Sequence, residues 1–211
     1  MQKIFVTATN TDVGKTYTMH RLIDIYTEMG YRVGVLKPIE TGVATTPPDA
    51  TALFAHALRC NPELCDLAIE DICPIRLTLP AAPFVAASGE ALDLTPIDEK
   101  MKLLRRRCDL LLIEGAGGLM VPIRCSYFMI DLIRDLDAVP LLVTHDRLGS
   151  INDTLLSLHR LAAADLPQHW CVNLRDEAAF DRLTRPFYEA YFGSFLTLQH
   201  DLRAIAAGLI Q

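Results

Sequence analysis

The segment Phe5-Val6-Thr7-Ala8-Thr9-Asn10-Thr11-Asp12-Val13-Gly14-Lys15-Thr16 constrains this chain more than any other. An apolar strand runs into a short polar loop that closes on Gly-Lys-Thr and opens a helix. The apolar residues that follow, Met19, Leu22, Ile23 and Tyr26, recur at helical spacing. At such a junction the loop N–H groups point inward, a lysine adds positive charge and a hydroxyl is available to magnesium. The segment therefore reads as a phosphate cradle. It departs from the pattern G-x-x-x-x-G-K-[ST]: Thr9, not glycine, stands where the first glycine belongs, and the strand ends at Ala8. A longer loop points to a subclass, and alanine at its start implies a backbone without positive φ.

Apolar runs alternate with helical patterns along the 211 residues, a length that fits one domain over 1–211 with a substantial core. Strands are expected over Lys3–Thr7, Tyr31–Lys37, Asp109–Glu114, Val139–Thr144, His169–Asn173 and Ser194–Leu198. Helices are expected over Lys15–Met29, Asp49–Leu58, Pro96–Arg107, Tyr127–Asp135, Ser150–Ala163, Glu177–Tyr191 and His200–Leu209. Leu110-Leu111-Leu112-Ile113 is apolar at every position, so both faces of that strand must be covered. The expected fold is α/β and P-loop NTPase-like: a mostly parallel sheet with helices on both faces. Ligands of such sheets gather beyond the carboxyl ends of the strands.

A net charge of −6 argues against a nucleic-acid surface, and Arg105-Arg106-Arg107 reads as a solvated helix end. The chain enters a strand at once, which leaves no room for a signal peptide, and no apolar run approaches the ~18 residues of a membrane span. A cytoplasmic location is expected. The six cysteines form no C-x-x-C pair and read as free thiols. The six histidines are equally scattered, giving little support for a metal held by histidine.

Candidate chemistry sits where strands stop. Lys37, in Lys37-Pro38-Ile39-Glu40-Thr41-Gly42, ends a buried strand, where an ammonium needs an anionic partner. A phosphate, a substrate carboxylate or a structural acid such as Glu40 would serve. Glu114, in Glu114-Gly115-Ala116-Gly117-Gly118, is placed to ligate magnesium opposite Thr16, and the glycines would let backbone approach a ligand. An exposed acid in a turn is the plainer alternative. Asp49 reads as a helix cap after two prolines. Ser150 reads as the N-cap of a helix whose free N–H groups attract a carboxylate, or simply as a cap.

Together ATNTDVGKT (8–16), KPIETG (37–42), PDAT (48–51), EGAGG (114–118) and LGSIND (148–153) resemble the dethiobiotin synthetases. The resemblance extends from the first strand to about Asn173. It implies a ligase that closes a ureido ring on 7,8-diaminopelargonic acid with carbon dioxide (or bicarbonate) and ATP, with Mg²⁺ as cofactor. It further implies catalytic roles for Lys15 and Lys37, and magnesium ligation by Thr16, Asp49 and Glu114. Nucleotide contacts are implied at Asp12, Val13, Gly14, Lys15, Thr16, Tyr17, Asp49, Glu114, Gly115, Ala116, Gly117 and Asn173. Substrate contacts are implied at Thr11, Thr41, Gly149, Ser150 and Asn152, the last three reaching the partner's site in a homodimer. Ala8 stands where the family commonly has glycine and Asn10 where aspartate is frequent.

Two alternatives remain at this level. Another P-loop amide ligase would usually add a glutamine-hydrolysing domain with a cysteine–histidine pair, and nothing after Cys171 offers one. A nucleotide-switched partition or positioning ATPase would commonly carry an extra lysine early in the loop. Ala8–Val13 has none.

Overall fold

The computed structural model describes residues 1–210. Among the described residues nine strands are formed: β1 Gln2–Ala8, β2 Val33–Leu36, β3 Ile39–Thr41, β4 Ile75–Leu77, β5 Leu110–Gly118, β6 Pro122–Arg124, β7 Tyr127–Phe128, β8 Val139–His145 and β9 His169–Asn173. The helices are α1 Lys15–Glu28, α2 Pro48–Cys60, α3 Ile69–Ile72, α4 Pro83–Ala86, α5 Thr95–Leu104, α6 Met129–Asp135, α7 Ser150–Ala162, α8 Glu177–Leu183, α9 Arg185–Phe192 and α10 Leu202–Leu209.

Five strands form a wholly parallel sheet in the order β2-β5-β1-β8-β9. Ile4, Phe5 and Val6 of β1 and Leu110 to Ile113 of β5 are fully buried at every position, so both sheet faces are covered, as the unbroken apolar runs require. Helix α1 packs on α2 and α10 as well as on the sheet, and α7 lies against β8. Central β1 therefore delivers the phosphate loop to the middle of the sheet's carboxyl edge.

Four expectations need correction. Ser194–Leu198 is not a strand: it makes one parallel bridge, Thr197 to Val172, before the chain turns into Asp201. The helix expected over Glu177–Tyr191 breaks at Thr184 (φ −123°, ψ −43°), because Pro186 has no N–H to donate to the Arg182 carbonyl one turn back and its ring crowds that carbonyl, so it is accommodated only in the first turn of a new helix. Tyr127 and Phe128 pair with β6 instead of opening α6. Ser150 is not the cap of α7. Gly149 takes that position at φ +97°, turning the chain so that the Ser150 hydroxyl is buried without a hydrogen-bond partner. The short pairs β3–β4 and β6–β7 carry too few residues for a readable period.

Candidate functional site

Residues following β1 and β2, together with the end of β5, line one cavity of about 820 Å³. The loop from β1 to α1 places Asp12 (φ +57°) and Gly14 (φ +112°) in left-handed conformations, while Ala8 stays extended in the strand. A Cβ on Gly14 would stand 2.2 Å from Asn173 Nδ2, so conformation and space both demand glycine there. Asn173 donates from Nδ2 to the Val13 carbonyl (2.8 Å) and accepts at Oδ1 from Gln199 Nε2 (2.8 Å). The last strand thus clamps the phosphate loop from behind.

Lys15 is buried and folds back so that Nζ donates to the Asn10 carbonyl at 3.2 Å. Burial depresses its pKa to about 8, with Glu114 raising it and Lys37 lowering it further. The Thr16 hydroxyl donates to Glu114 Oε1 at 3.0 Å. Lys37, only 4% exposed, pairs with Glu114 Oε1 and, at 3.3 Å, with Asp49 Oδ2. Burial opposes its charge, but Glu114 and Asp49 outweigh burial and hold the ammonium above the ordinary lysine range.

The structure therefore gives Lys37 an internal counter-ion, and that ion is not Glu40. Glu40 instead accepts from the Asp49 and Ala50 backbone N–H groups at 3.1 and 2.9 Å, capping α2 from β3. Pro47 occupies the α2 cap position, and Asp49 lies inside the first turn. Because Glu40 satisfies those donors, the Asp49 carboxylate is not a cap and turns toward Lys37. Gly115 lines the cavity and has a second constraint as well. A Cβ there would meet Phe5 Cε1 at 2.7 Å, so tight packing on β1 demands a residue without one.

Of the positions singled out in the phosphate loop, Thr11, Asp12, Gly14, Lys15, Thr16 and Tyr17 line the cavity and Val13 lies buried beneath it. Lys37, Thr41, Asp49 and the Glu114–Gly117 run line it too. Asn173 stands behind the loop, and Gly149, Ser150 and Asn152 lie outside the cavity of their own chain. Sequence reading missed Arg175 and the run Pro80 to Pro83, which also line the cavity. Arg175 Nη2 donates to the Asp12 carbonyl at 2.6 Å, and the Asp146 carboxylate accepts from the Arg175 and Asp176 N–H groups. A single arginine after a strand carries no spacing signal; only the fold brings it to the loop.

The chain is 45% identical to an ATP-dependent dethiobiotin synthetase BioD of Sulfurovum sp., over 99% of this chain and all of the relative. It is 37% identical to that of Wolinella succinogenes, over 100% of this chain and 99% of the relative. The chain belongs to the dethiobiotin synthetase family. A family model described as an AAA domain matches residues 2–170 of this synthetase-family chain. Among solved structures, MinD cell division protein of Aquifex aeolicus superposes with a TM-score of 0.54 at 15% identity, covering 98% of this chain and 86% of that one. A ParA family ATPase of Chlorobium tepidum gives 0.53 at 12%, covering 99% and 90%. At such identity the likeness is one of fold: a P-loop sheet shared by dethiobiotin synthetases and these ATPases. Among the described residues no helix is long and apolar enough to cross a membrane.

Proposed function

We propose that this protein is an ATP-dependent dethiobiotin synthetase that forms the ureido ring from 7,8-diaminopelargonic acid and carbon dioxide. The observation that carries the reading is the convergence of Lys15 and Lys37 on one cavity with Thr16, Asp49 and Glu114. In the reaction one substrate amine adds to carbon dioxide, giving a carbamate. A carbamate oxygen then takes the γ-phosphoryl group of ATP, and the second amine attacks the carbonyl carbon, expelling phosphate and closing the ring. Two anions must meet before any bond forms, so positioning and charge compensation dominate catalysis.

The chain's own groups answer those demands. Lys15 leaves the Asn10 carbonyl to grip the β- and γ-phosphates, while loop N–H groups hold their remaining oxygens. Lys37, kept charged by its carboxylate neighbours, lies against the carbamate as an electrostatic partner and not as a base. Thr11 and Thr41, which also line the cavity, orient the diamine. Thr16, Asp49 and Glu114 suit Mg²⁺: all are hard oxygen donors, and Glu114 Oε2 is buried with no hydrogen-bond partner. Bound there, the ion supplies further positive charge to the phosphates.

Our reading extends to a cytoplasmic homodimer with shared sites. Gly149 and Asn152 are exposed at the start of α7, beside Leu148 at 89% exposure and Leu156 at 61%, an apolar strip that a second copy would cover. The N-terminal N–H groups of α7 then face the substrate carboxylate of the other subunit. The deciding experiment is a mass-spectrometric product assay with diamine, bicarbonate, magnesium and a panel of nucleotides. Dethiobiotin formed only when diamine, bicarbonate and nucleotide are all present is the expected result. Nucleotide hydrolysis indifferent to diamine and bicarbonate would overturn it.

A further inference from the structure

The histidines and cysteines are scattered in sequence, yet the packing of α1 on α2 gathers four chelating side chains at a single surface point. Helix α1 contributes His20 and Asp24, and α2 contributes His56 and Cys60. Each pair is spaced i, i+4, so both members lie on one helix face. Donor atoms of Asp24, His56 and Cys60 all fall within 4.8 Å of one another. The two rings of His20 and His56 stack at 5.0 Å, with Nδ1 to Nδ1 at 2.7 Å. His56 Nε2 lies 2.8 Å from Asp24 Oδ1.

We propose that Asp24, His56 and Cys60 form a transition-metal site, best suited to Zn²⁺, that bridges α1 and α2. The donor set decides the class of ion. An imidazole nitrogen, a thiolate and a carboxylate together suit borderline ions such as zinc and disfavour magnesium, which takes oxygen ligands. His56 supplies Nε2, the ring atom already turned toward Asp24, and its Nδ1–H then donates to His20 Nδ1. His20 is therefore an orienting partner of the ligand ring, in the way that histidine ligands are commonly held from behind. Asp24 is 52% exposed and His56 15%, leaving the fourth tetrahedral position open to water. Binding would re-space the three donor atoms about the ion by rotation of their side chains.

Location gives the site its consequence. The N-terminal turn of α1 carries Lys15 and Thr16, and that of α2 carries Asp49. A bond across the two helices ties together the elements that position the nucleotide-binding side chains, so the ion acts as a clasp outside the cavity. Neither Asp24, His56 nor Cys60 lines the proposed catalytic cavity. The proposal therefore does not depend on the ligase reading.

The test is calorimetric titration of the full chain with Zn²⁺ in excess Mg²⁺, followed by titration with Co²⁺ read by absorption. One Zn²⁺ per chain and a thiolate-to-cobalt charge-transfer band are expected. Cys60→Ser should abolish that band and weaken zinc binding at least tenfold, and His20→Ala should weaken binding by about 10–100-fold with the stoichiometry kept. Wild-type zinc affinity in both Cys60→Ser and His56→Ala would place the ion elsewhere and overturn the proposal. So would a cobalt complex without the thiolate band. Cys60→Ser is near-isosteric at a half-buried helix end, and far-UV circular dichroism checks that the variants are folded.

Discussion

Nucleotide binding should take up a proton above neutral pH, because burial holds Lys15 at about 8 in the free protein. Phosphate oxygens replace the Asn10 carbonyl as its partner, and their charge restores the ordinary lysine range, above 10. At about pH 9 roughly nine-tenths of free Lys15 is neutral, so binding takes up about 0.9 proton; at about pH 7 the figure is about 0.1. The nucleotide contributes little, since its phosphates are already ionised well below pH 8. The sign follows: the bound form holds more protons, so affinity falls as pH rises through 8. Between about pH 7 and pH 9 the loss is about tenfold, or ~1.4 kcal/mol. Calorimetry of a non-hydrolysable ATP analogue in buffers of different ionisation enthalpy reads the proton count directly. Lys15→Met should remove the uptake. An affinity flat across this range, or uptake below about 0.2 proton at pH 9, would refute the link between burial and phosphate recognition.

Three further outcomes are expected. Lys37→Ala should cut turnover by about 10²–10³ with nucleotide affinity held within a few-fold. It also strands buried Glu114, so by differential scanning calorimetry Tm should drop by about 6–20 °C, reflecting ~3–5 kcal/mol; collapse of ATP binding would show the lysine to be a nucleotide ligand instead. Gly14→Ala should weaken nucleotide binding at least about tenfold, since the left-handed strain of ~1–2 kcal/mol adds to loss of the Asn173 clamp. Unchanged affinity by calorimetry would mean the loop has slack that these contacts do not suggest. Asn152→Ala should raise the diamine KM by about 2–10-fold, within the ~0.5–1.5 kcal/mol of one net hydrogen bond, with kcat nearly kept. Dimers mixing Asn152→Ala with Lys37→Ala subunits should show one active site per dimer with the wild-type diamine KM, and a KM that stays raised would argue against sites shared between subunits.

Much of the fold is legible in the order of residues because its signals are local. β9 matches its expected bounds, β1, β5 and β8 come within a few residues, and continuous apolar runs correctly imply a sheet covered on both faces. The phosphate loop is legible for the same reason: strand, polar turn, Gly-Lys-Thr and amphipathic helix are contiguous. Where two signals compete locally, reading fails. Pro186 breaks a helix whose apolar period runs on, and Gly149 takes a cap that Ser150 also fits.

What the sequence alone determined is therefore the phosphate cradle with Lys15, the parallel α/β sheet and the lysine, Lys37, where β2 stops. Their motifs occupy consecutive residues and depend on backbone geometry that nearest neighbours impose. Only the tertiary structure decided which carboxylate faces Lys37, that Glu40 caps α2, that Arg175 and Asn173 hold the phosphate loop, and that four chelating side chains meet between α1 and α2. Those pairings join residues tens of positions or more apart, except for Glu40 and α2. Each is chosen by which helix packs on which strand, so no spacing along the chain records them.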